Sequence, residues 1–245
     1  MSRRLNGWQR LSVVVAVMLL AAVTLSAQTF DDALAAYKRG DFRVAAQTFG
    51  KLAEEGDARA QYYLGLMYAF GEGVRKDPTE AVRWYRKAAQ QGDAEAQFDL
   101  ASMYGNGEGV PKDPTEAMRW YRKAAEQGDA SAQSSLGYMY RNGEGVPKDQ
   151  AEAVRWYRKA VEQGDAVAQL NLAIMHASGE GGLPKSGAAA ADLFYKAGLA
   201  FLKDGDKERA LLCVKQIQGL RDLLGLDVPN IFLADKLMDA IRSKG

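Results

Sequence analysis

The sequence predicts an all-α fold, an α/α right-handed superhelical solenoid of antiparallel helix pairs, and three observations lead there. One unit starts at Gly56, Gly92 and Gly128, and again in altered form at Gly164, at a spacing of 36 residues. That spacing lies in the roughly 20–50-residue range of repeat arrays. Each copy holds two apolar stripes at helical spacing, parted by a Gly-Glu-Gly turn. Small alanines recur opposite Trp84, Trp120 and Trp156, so neither helix buries its apolar face alone and neighbouring copies must stack.

Residues 1–27 read as a secretory signal. Arg3, Arg4 and Arg10 form its positive start, Leu11 to Leu25 its apolar run, and Leu25-Ser26-Ala27 a small-residue cleavage site. The run falls short of the roughly 20 residues of a spanning helix. Cleavage is therefore favoured over retention as an anchor, with no stable membrane span afterwards and a periplasmic or secreted location. The whole chain has 32 Lys+Arg against 31 Asp+Glu; without the three arginines the balance is 29 against 31, a net −2. Such a balance gives no sign of a nucleic-acid partner. Cys213 is the single cysteine, so no internal disulfide is available even in an oxidising compartment.

Residues 28–55 read as a capping hairpin. Ala33, Ala36 and Tyr37 share a face, Gly40-Asp41 breaks the helix, and Phe42, Ala45, Ala46, Phe49, Leu52 and Ala53 resume the period. The repeats follow at 56–91, 92–127 and 128–163. In each, an aspartate (Asp57, Asp93, Asp129, and later Asp165) follows a glycine and precedes an alanine-rich run, as a helix stop followed by an N-cap does. In the first copy Ala60, Gln61, Leu64, Met67 and Tyr68 form the buried stripe of the first helix, and Gly65 leaves room for a close neighbour. Asp77-Pro78-Thr79-Glu80 and Asp113-Pro114-Thr115-Glu116 then supply an N-cap, a proline at the first helical position and an acid at the third. The second helix buries Ala81, Trp84, Tyr85 and Ala88 and turns its arginines and lysine outward.

The elements L-G-x-M-Y, G-E-G-V, K-D, E-A, W-Y-x-K-A-A and x-Q-G-D resemble the Sel-one-like repeat, a branch of the tetratricopeptide superfamily, from Gly56 to about Gly198. The hairpin at 28–55, with its Tyr and Gly-Asp-Phe, is of tetratricopeptide type. The resemblance implies a scaffold or adaptor for protein complexes, without enzymatic activity and, in secreted bacterial relatives, placed in the periplasm or cell envelope. Cysteine-rich members of the family carry a disulfide in each repeat; these repeats hold no cysteine.

The fourth copy, 164–200, keeps Ala168, Gln169, Leu172 and Met175. It puts His176 where Tyr68, Tyr104 and Tyr140 stand, has one extra residue in its turn, and loses the Trp and arginines of its second helix. Residues 201–245 read as further tetratricopeptide-like helices: Ala200, Phe201 and Leu202, a turn at Asp204 to Asp206, then Ala210, Leu211, Val214 and Ile217. A linker at Gly225 to Pro229 and a closing helix with Phe232, Leu233, Leu237 and Ile241 complete the cap.

No catalytic, cofactor-binding or metal constellation is visible. His176 and Cys213 make no supported dyad, and no metal-ligand spacing occurs. Glu72, Glu108, Glu144 and Glu180 sit in Gly-Glu-Gly turns and read as solvated. Two surfaces remain. Arg83, Arg86, Lys87, Arg119, Arg122, Lys123, Arg155, Arg158 and Lys159 form a basic ladder on the second helices, an alternative site for an anionic envelope polymer or glycan. The other is where the copies differ. Five rows of the first helices vary while the stripe positions hardly change: Tyr62/Phe98/Ser134/Leu170, Tyr63/Asp99/Ser135/Asn171, Leu66/Ser102/Tyr138/Ile174, Ala69/Gly105/Arg141/Ala177 and Phe70/Asn106/Asn142/Ser178. From these, Tyr62, Tyr63, Leu66, Phe70, Phe98, Asp99, Tyr138, Arg141, Leu170, Asn171 and Ile174 are the expected contacts to a protein or peptide partner in the concave groove, with Tyr62, Tyr63, Leu66 and Phe70 as an aromatic anchor.

Overall fold

The structure, a computed structural model, describes residues 29–224 and 229–243. The export signal expected at 1–27 falls outside the described residues, as does the expected linker except for Pro229, which opens the last helix instead. Among the described residues there are twelve helices and no strand. Helices α1 (29–38) and α2 (Phe42–Glu54) form the hairpin. Helices α3 (Ala58–Phe70), α5 (Ala94–Asn106), α7 (Ala130–Asn142) and α9 (Ala166–Ser178) are the first helices of the repeats. Helices α4 (Pro78–Gln90), α6 (Pro114–Glu126) and α8 (Gln150–Glu162) are the second helices, followed by α10 (Gly187–Lys203), α11 (Lys207–Leu224) and α12 (Pro229–Ser243).

Helix starts follow the expected chemistry. The carboxylates of Asp57, Asp93, Asp129 and Asp165 accept from the backbone N–H of Ala60, Ala96, Ala132 and Ala168. Asp77 and Asp113 each accept from two backbone N–H groups, those of Thr79 and Glu80 and of Thr115 and Glu116, behind Pro78 and Pro114 at the first helical position. The acids Glu80, Glu116 and Glu152 point onward to Arg83, Arg119 and Arg155. The second glycine of each Gly-Glu-Gly turn is forced by contact. A Cβ on Gly73, Gly109 or Gly145 would lie 2.2 Å from the carbonyl oxygen of Phe42, Pro78 or Pro114, at φ between +66° and +71°.

Two compact units divide at Ala96/Gln97, with Glu108–Val110 belonging to the first. The first unit packs Phe30, Ala33, Ala45, Phe49, Leu52, Leu64, Met67 and Trp84 into one core. In the second, Ala117, Met118, Leu136, Met139 and Trp156 form one cluster, and Val154, Tyr157, Leu172, Met175 and Leu183 the next. Phe194, Phe201, Cys213, Val214, Ile217, Leu237 and Ile241 form a third, which α12 closes. Helix α10 runs unbroken through the boundary expected at 200/201. Gly198 sits inside it with its backbone against Leu237 of α12, which gives that glycine a packing role in place of a chain break.

A glutamine in the first turn of each first helix, Gln61, Gln97, Gln133 or Gln169, is buried. Gln91, Gln127 and Gln163, just past the second helices, donate from Nε2 to the Oε1 of Gln61, Gln97 and Gln133 at 2.8–2.9 Å. Gln91 and Gln163 also donate to the carbonyls of Gly56 and Gly128. In the fourth repeat the donor's place falls to Ala200 within α10, and Gln169 Oε1 is buried without a partner.

Candidate functional site

In the second unit one packing pair of the repeat is altered, and its tyrosine lines a pocket. Gly137 on α7 faces Tyr157, whose ring is buried; a Cβ there would meet ring carbons at 2.6 Å. Gly65 and Tyr85 make the same pair in the first repeat. In the second repeat the glycine's place is taken by Ala101 and the ring by Tyr121. Tyr121 is half-buried, packs on Phe98 at 5.4 Å between ring centroids, and makes side-chain hydrogen bonds with Ser102 and Ser135. Burial raises its hydroxyl pKa more than those bonds lower it.

Phe98 and Tyr121 form one wall of a pocket of about 450 Å³ carried by α5, α7 and α9, with α6 supplying Tyr121, a size typical of small binding clefts. Tyr138, 48% exposed, forms another part of the lining, with Asn106, Ser131, Ser134, Ser135 and Asn171 supplying hydrogen-bonding groups and Lys112, Glu144 and Asp165 the charges. Gly105 lines it too, where other copies carry Ala69, Arg141 or Ala177. Ser134 is 5% exposed and its hydroxyl has no partner.

The structure therefore brings together Phe98, Tyr138 and Asn171 from the expected contacts. Asp99, Leu170 and Ile174 are half-buried, and Leu170 and Ile174 pack against the cluster around Phe194. Arg141 is tied down: its guanidinium pairs with Glu180 at 3.1 Å, and Gln150 and Ser178 bond the same carboxylate. Burial works against the charge on Glu180, but the bonds from Arg141 and Ser178 and the charges of Arg141 and Lys148 outweigh it and lower its pKa. In the first unit Tyr63 stacks on Phe49 at 5.0 Å and meets Phe30, Tyr37 and Tyr62, while Tyr62 packs toward Tyr85. Leu66 is half-buried, and Phe70 projects, 68% exposed.

Two turn glutamates depart from the solvated expectation. Glu72 accepts from the Tyr37 hydroxyl at 2.6 Å, and Glu180 holds Arg141; Glu108 and Glu144 are exposed. Burial first, and then Glu72, push the Tyr37 hydroxyl up to about 12. Tyr121, Ser134 and Glu144 were missing from the expected contacts. Tyr121 matches the core tyrosines in register, so the signal that singles it out is the alanine at 101.

On the basic ladder, Arg83, Arg119 and Arg155 pair with the glutamate three residues before them. Lys87, Lys123 and Lys159 lie 3.9–4.2 Å over the rings of Trp84, Trp120 and Trp156. Arg122 donates to the Tyr140 hydroxyl, Arg86 is half-buried, and Arg158 is exposed. Trp84 and Trp156 are buried as expected of core rings, whereas Trp120 is half-buried beneath Lys123. His176 is half-buried with Nδ1 unpartnered, and Cys213 is fully buried, which pushes its thiol up to about 11. Among the described residues no group of three or more His, Cys, Asp or Glu could hold a metal ion, and no helix is long and apolar enough to cross a membrane.

The Sel1 repeat matches four times in succession, at residues 58–93, 94–129, 130–165 and 166–200. The chain belongs to the Sel1 repeat family. A Sel1 repeat protein from Oxalobacter formigenes is 36% identical, with a TM-score of 0.68 over 81% of this chain and 76% of that one. The protein c5321, described as a protective antigen of uropathogenic Escherichia coli with an SLR fold, is 28% identical over 92% of this chain and 55% of its own, at a TM-score of 0.69. The immunity protein Pa5087 of Pseudomonas aeruginosa, 21% identical at a TM-score of 0.52, shares the fold. No curated protein matches the chain. Sel1 repeat proteins generally act as protein–protein interaction modules, on a fold that is typically a non-catalytic scaffold.

Proposed function

We propose that this Sel1 repeat protein is a non-enzymatic scaffold, exported to the periplasm or beyond, that receives a protein or peptide on the face of its first helices. The observation that carries this reading is the pocket of α5, α7 and α9. Nine of its sixteen lining residues, among them Phe98, Ser134, Ser135, Tyr138 and Asn171, stand at positions of the first helices that vary between copies, on a framework of repeated caps, turns and buried stripes. A framework need would have been copied with the repeat. Tyr138 and Phe98 supply rigid aromatic surface and the serines and asparagines adaptable hydrogen bonds, a combination suited to an extended peptide.

The basic ladder supports an anionic partner less well, because ion pairs and Trp rings engage six of its nine charges. A photo-crosslinking residue placed at Tyr138, and separately at Arg158, in the full chain in its own source cell separates the two faces. A protein crosslinked from 138 and not from 158 is expected. Crosslinks confined to 158 would move the function to the second helices and overturn the reading. Export has its own check: the N-terminus of the protein recovered from those cells, measured by mass spectrometry, is expected at Gln28, and an intact Met1 contradicts it.

A further inference from the structure

We propose that the pocket of α5, α7 and α9 recognises a basic side chain of the bound peptide, arginine before lysine, with Glu144 as its counter-charge; this rests on the scaffold reading above. Of the four loop carboxylates, Glu108 and Glu144 have no side-chain partner among the described residues, and of these two Glu144 lines the pocket. Glu72 is occupied by the Tyr37 hydroxyl and Glu180 by Arg141 from the preceding first helix. For Glu144 the residue in the place of Arg141 is Gly105, which has no side chain to offer. Glu144 is exposed, lines the pocket, and has no side-chain partner among the described residues. Its backbone N–H donates to Met139 at 3.0 Å, which fixes the loop on the end of α7.

The rest of the lining agrees in charge and shape. Asp165 adds a second carboxylate against the single ammonium of Lys112, so the pocket's own balance is acidic. The neighbouring cation, Arg141, is already neutralised by Glu180. Tyr138 and Tyr121 present aromatic surface to the stem and the delocalised charge of a guanidinium, which a compact, strongly hydrated ammonium uses less well. An acidic side chain at the same place would meet Glu144 and Asp165 with like charge.

The test uses the full chain and random heptapeptides displayed on phage. Selection is expected to enrich sequences with arginine or lysine at one common position. A synthetic enriched peptide should bind roughly tenfold more weakly when its arginine is replaced by citrulline, the scale of one charge-assisted hydrogen bond. Glu144→Gln should weaken the arginine peptide by a similar factor and leave the citrulline peptide unchanged, since the two changes remove one interaction. Glu144 lies in an exposed turn, so this variant is expected to keep the helical circular dichroism of the parent. If peptides are enriched and Tyr138→Ala abolishes their binding, yet no basic position emerges or Glu144→Gln has no effect, the proposed chemistry is wrong and the groove stands. If no peptide is enriched, or binding ignores Tyr138→Ala, the scaffold reading of this face falls and takes the proposal with it.

Discussion

Gly137→Ala tests the packing that separates framework from site. The new methyl carbon would sit 2.6 Å from Cδ1 and Cε1 of Tyr157 and 2.9 Å from Cγ, where carbon atoms prefer about 3.5–4.0 Å. Tyr157 is among the largest fully buried side chains, so its ring must either push its neighbours or swing outward to the half-buried state of Tyr121 opposite Ala101. Overpacking costs about 1–3 kcal/mol, and lost burial of a large ring is of the same size. Replacing a helical glycine by alanine returns about 1 kcal/mol. The expected net effect is a loss of up to about 2 kcal/mol. For a chain of this size that lowers the melting temperature by up to about 8 °C, read by thermal circular dichroism. A second reading follows Tyr157 itself, whose hydroxyl pKa burial holds well above the ordinary value. In an alkaline absorbance titration, a ring that swings outward should ionise at lower pH in the variant than in the parent. If Gly137→Ala instead raises stability by the full helix-propensity gain and leaves the titration unchanged, the glycine is not there for the ring, and the account of how Ala101 opens the pocket fails.

Three further outcomes follow from the framework. Gln133→Leu is expected to cost about 1–3 kcal/mol because it removes two hydrogen bonds of a buried amide, the one from Gln163 and the one to the Ala125 carbonyl, whereas Gln169→Leu, which removes a buried carbonyl that already lacks a donor, should be near neutral; urea midpoints compare them. Gly145→Ala is expected to cost roughly 2–4 kcal/mol, combining a left-handed φ of +66° with a Cβ 2.2 Å from the Pro114 carbonyl, and should lower the midpoint more than Gly137→Ala does. Tyr37 is raised from 10.0 to about 12 in the folded chain, so its stabilisation is complete below pH 10 and is lost as pH climbs through 12. Melting temperatures of Tyr37→Phe between pH 9 and 12 should fall less steeply than those of the parent.

The repeat, the caps and the helix ends were legible because each rests on local chemistry written several times. Asp77 before Pro78 and Gly73 closing its Gly-Glu-Gly turn mean the same thing at 113, 114 and 109. The site was half legible. Variation between copies pointed to Phe98, Tyr138 and Asn171, but the same test also selected Arg141, which the fold spends on Glu180, and Tyr63, which stacks on Phe49. A sequence row shows that a position varies, and not what lies across from it. Glu144 illustrates the converse. It is identical in all four copies and therefore reads as framework, yet its state is set by Gly105, 39 residues earlier.

That relation gives a rule for where function enters an array of this kind. A repeated residue with a repeated partner is framework, like the buried glutamine pairs. A repeated residue whose partner has been deleted becomes available chemistry at a fixed place. The deletion occurs twice here, at Glu108, where Ala69 stands in the partner's register, and at Glu144, where Gly105 does. Only at Glu144 do further changes accompany it: Ala101 keeps Tyr121 half-exposed, and Ser134 and Ser135 stand where bulkier side chains fill the same rows in the first copy. A free carboxylate on a filled surface is an ordinary solvated charge, worth little to a partner. A free carboxylate lining an aromatic pocket is a recognition element, because the partner's charge is partly desolvated there and its stem is held against the rings. Restoring the deleted partner should therefore switch the site off. Gly105→Arg is expected to engage Glu144 as Arg141 engages Glu180 and to abolish selection for basic peptides. The same substitution combined with Glu144→Gln should not regain it. Recovery of basic-peptide binding in that double variant would show that some other carboxylate does the recognising.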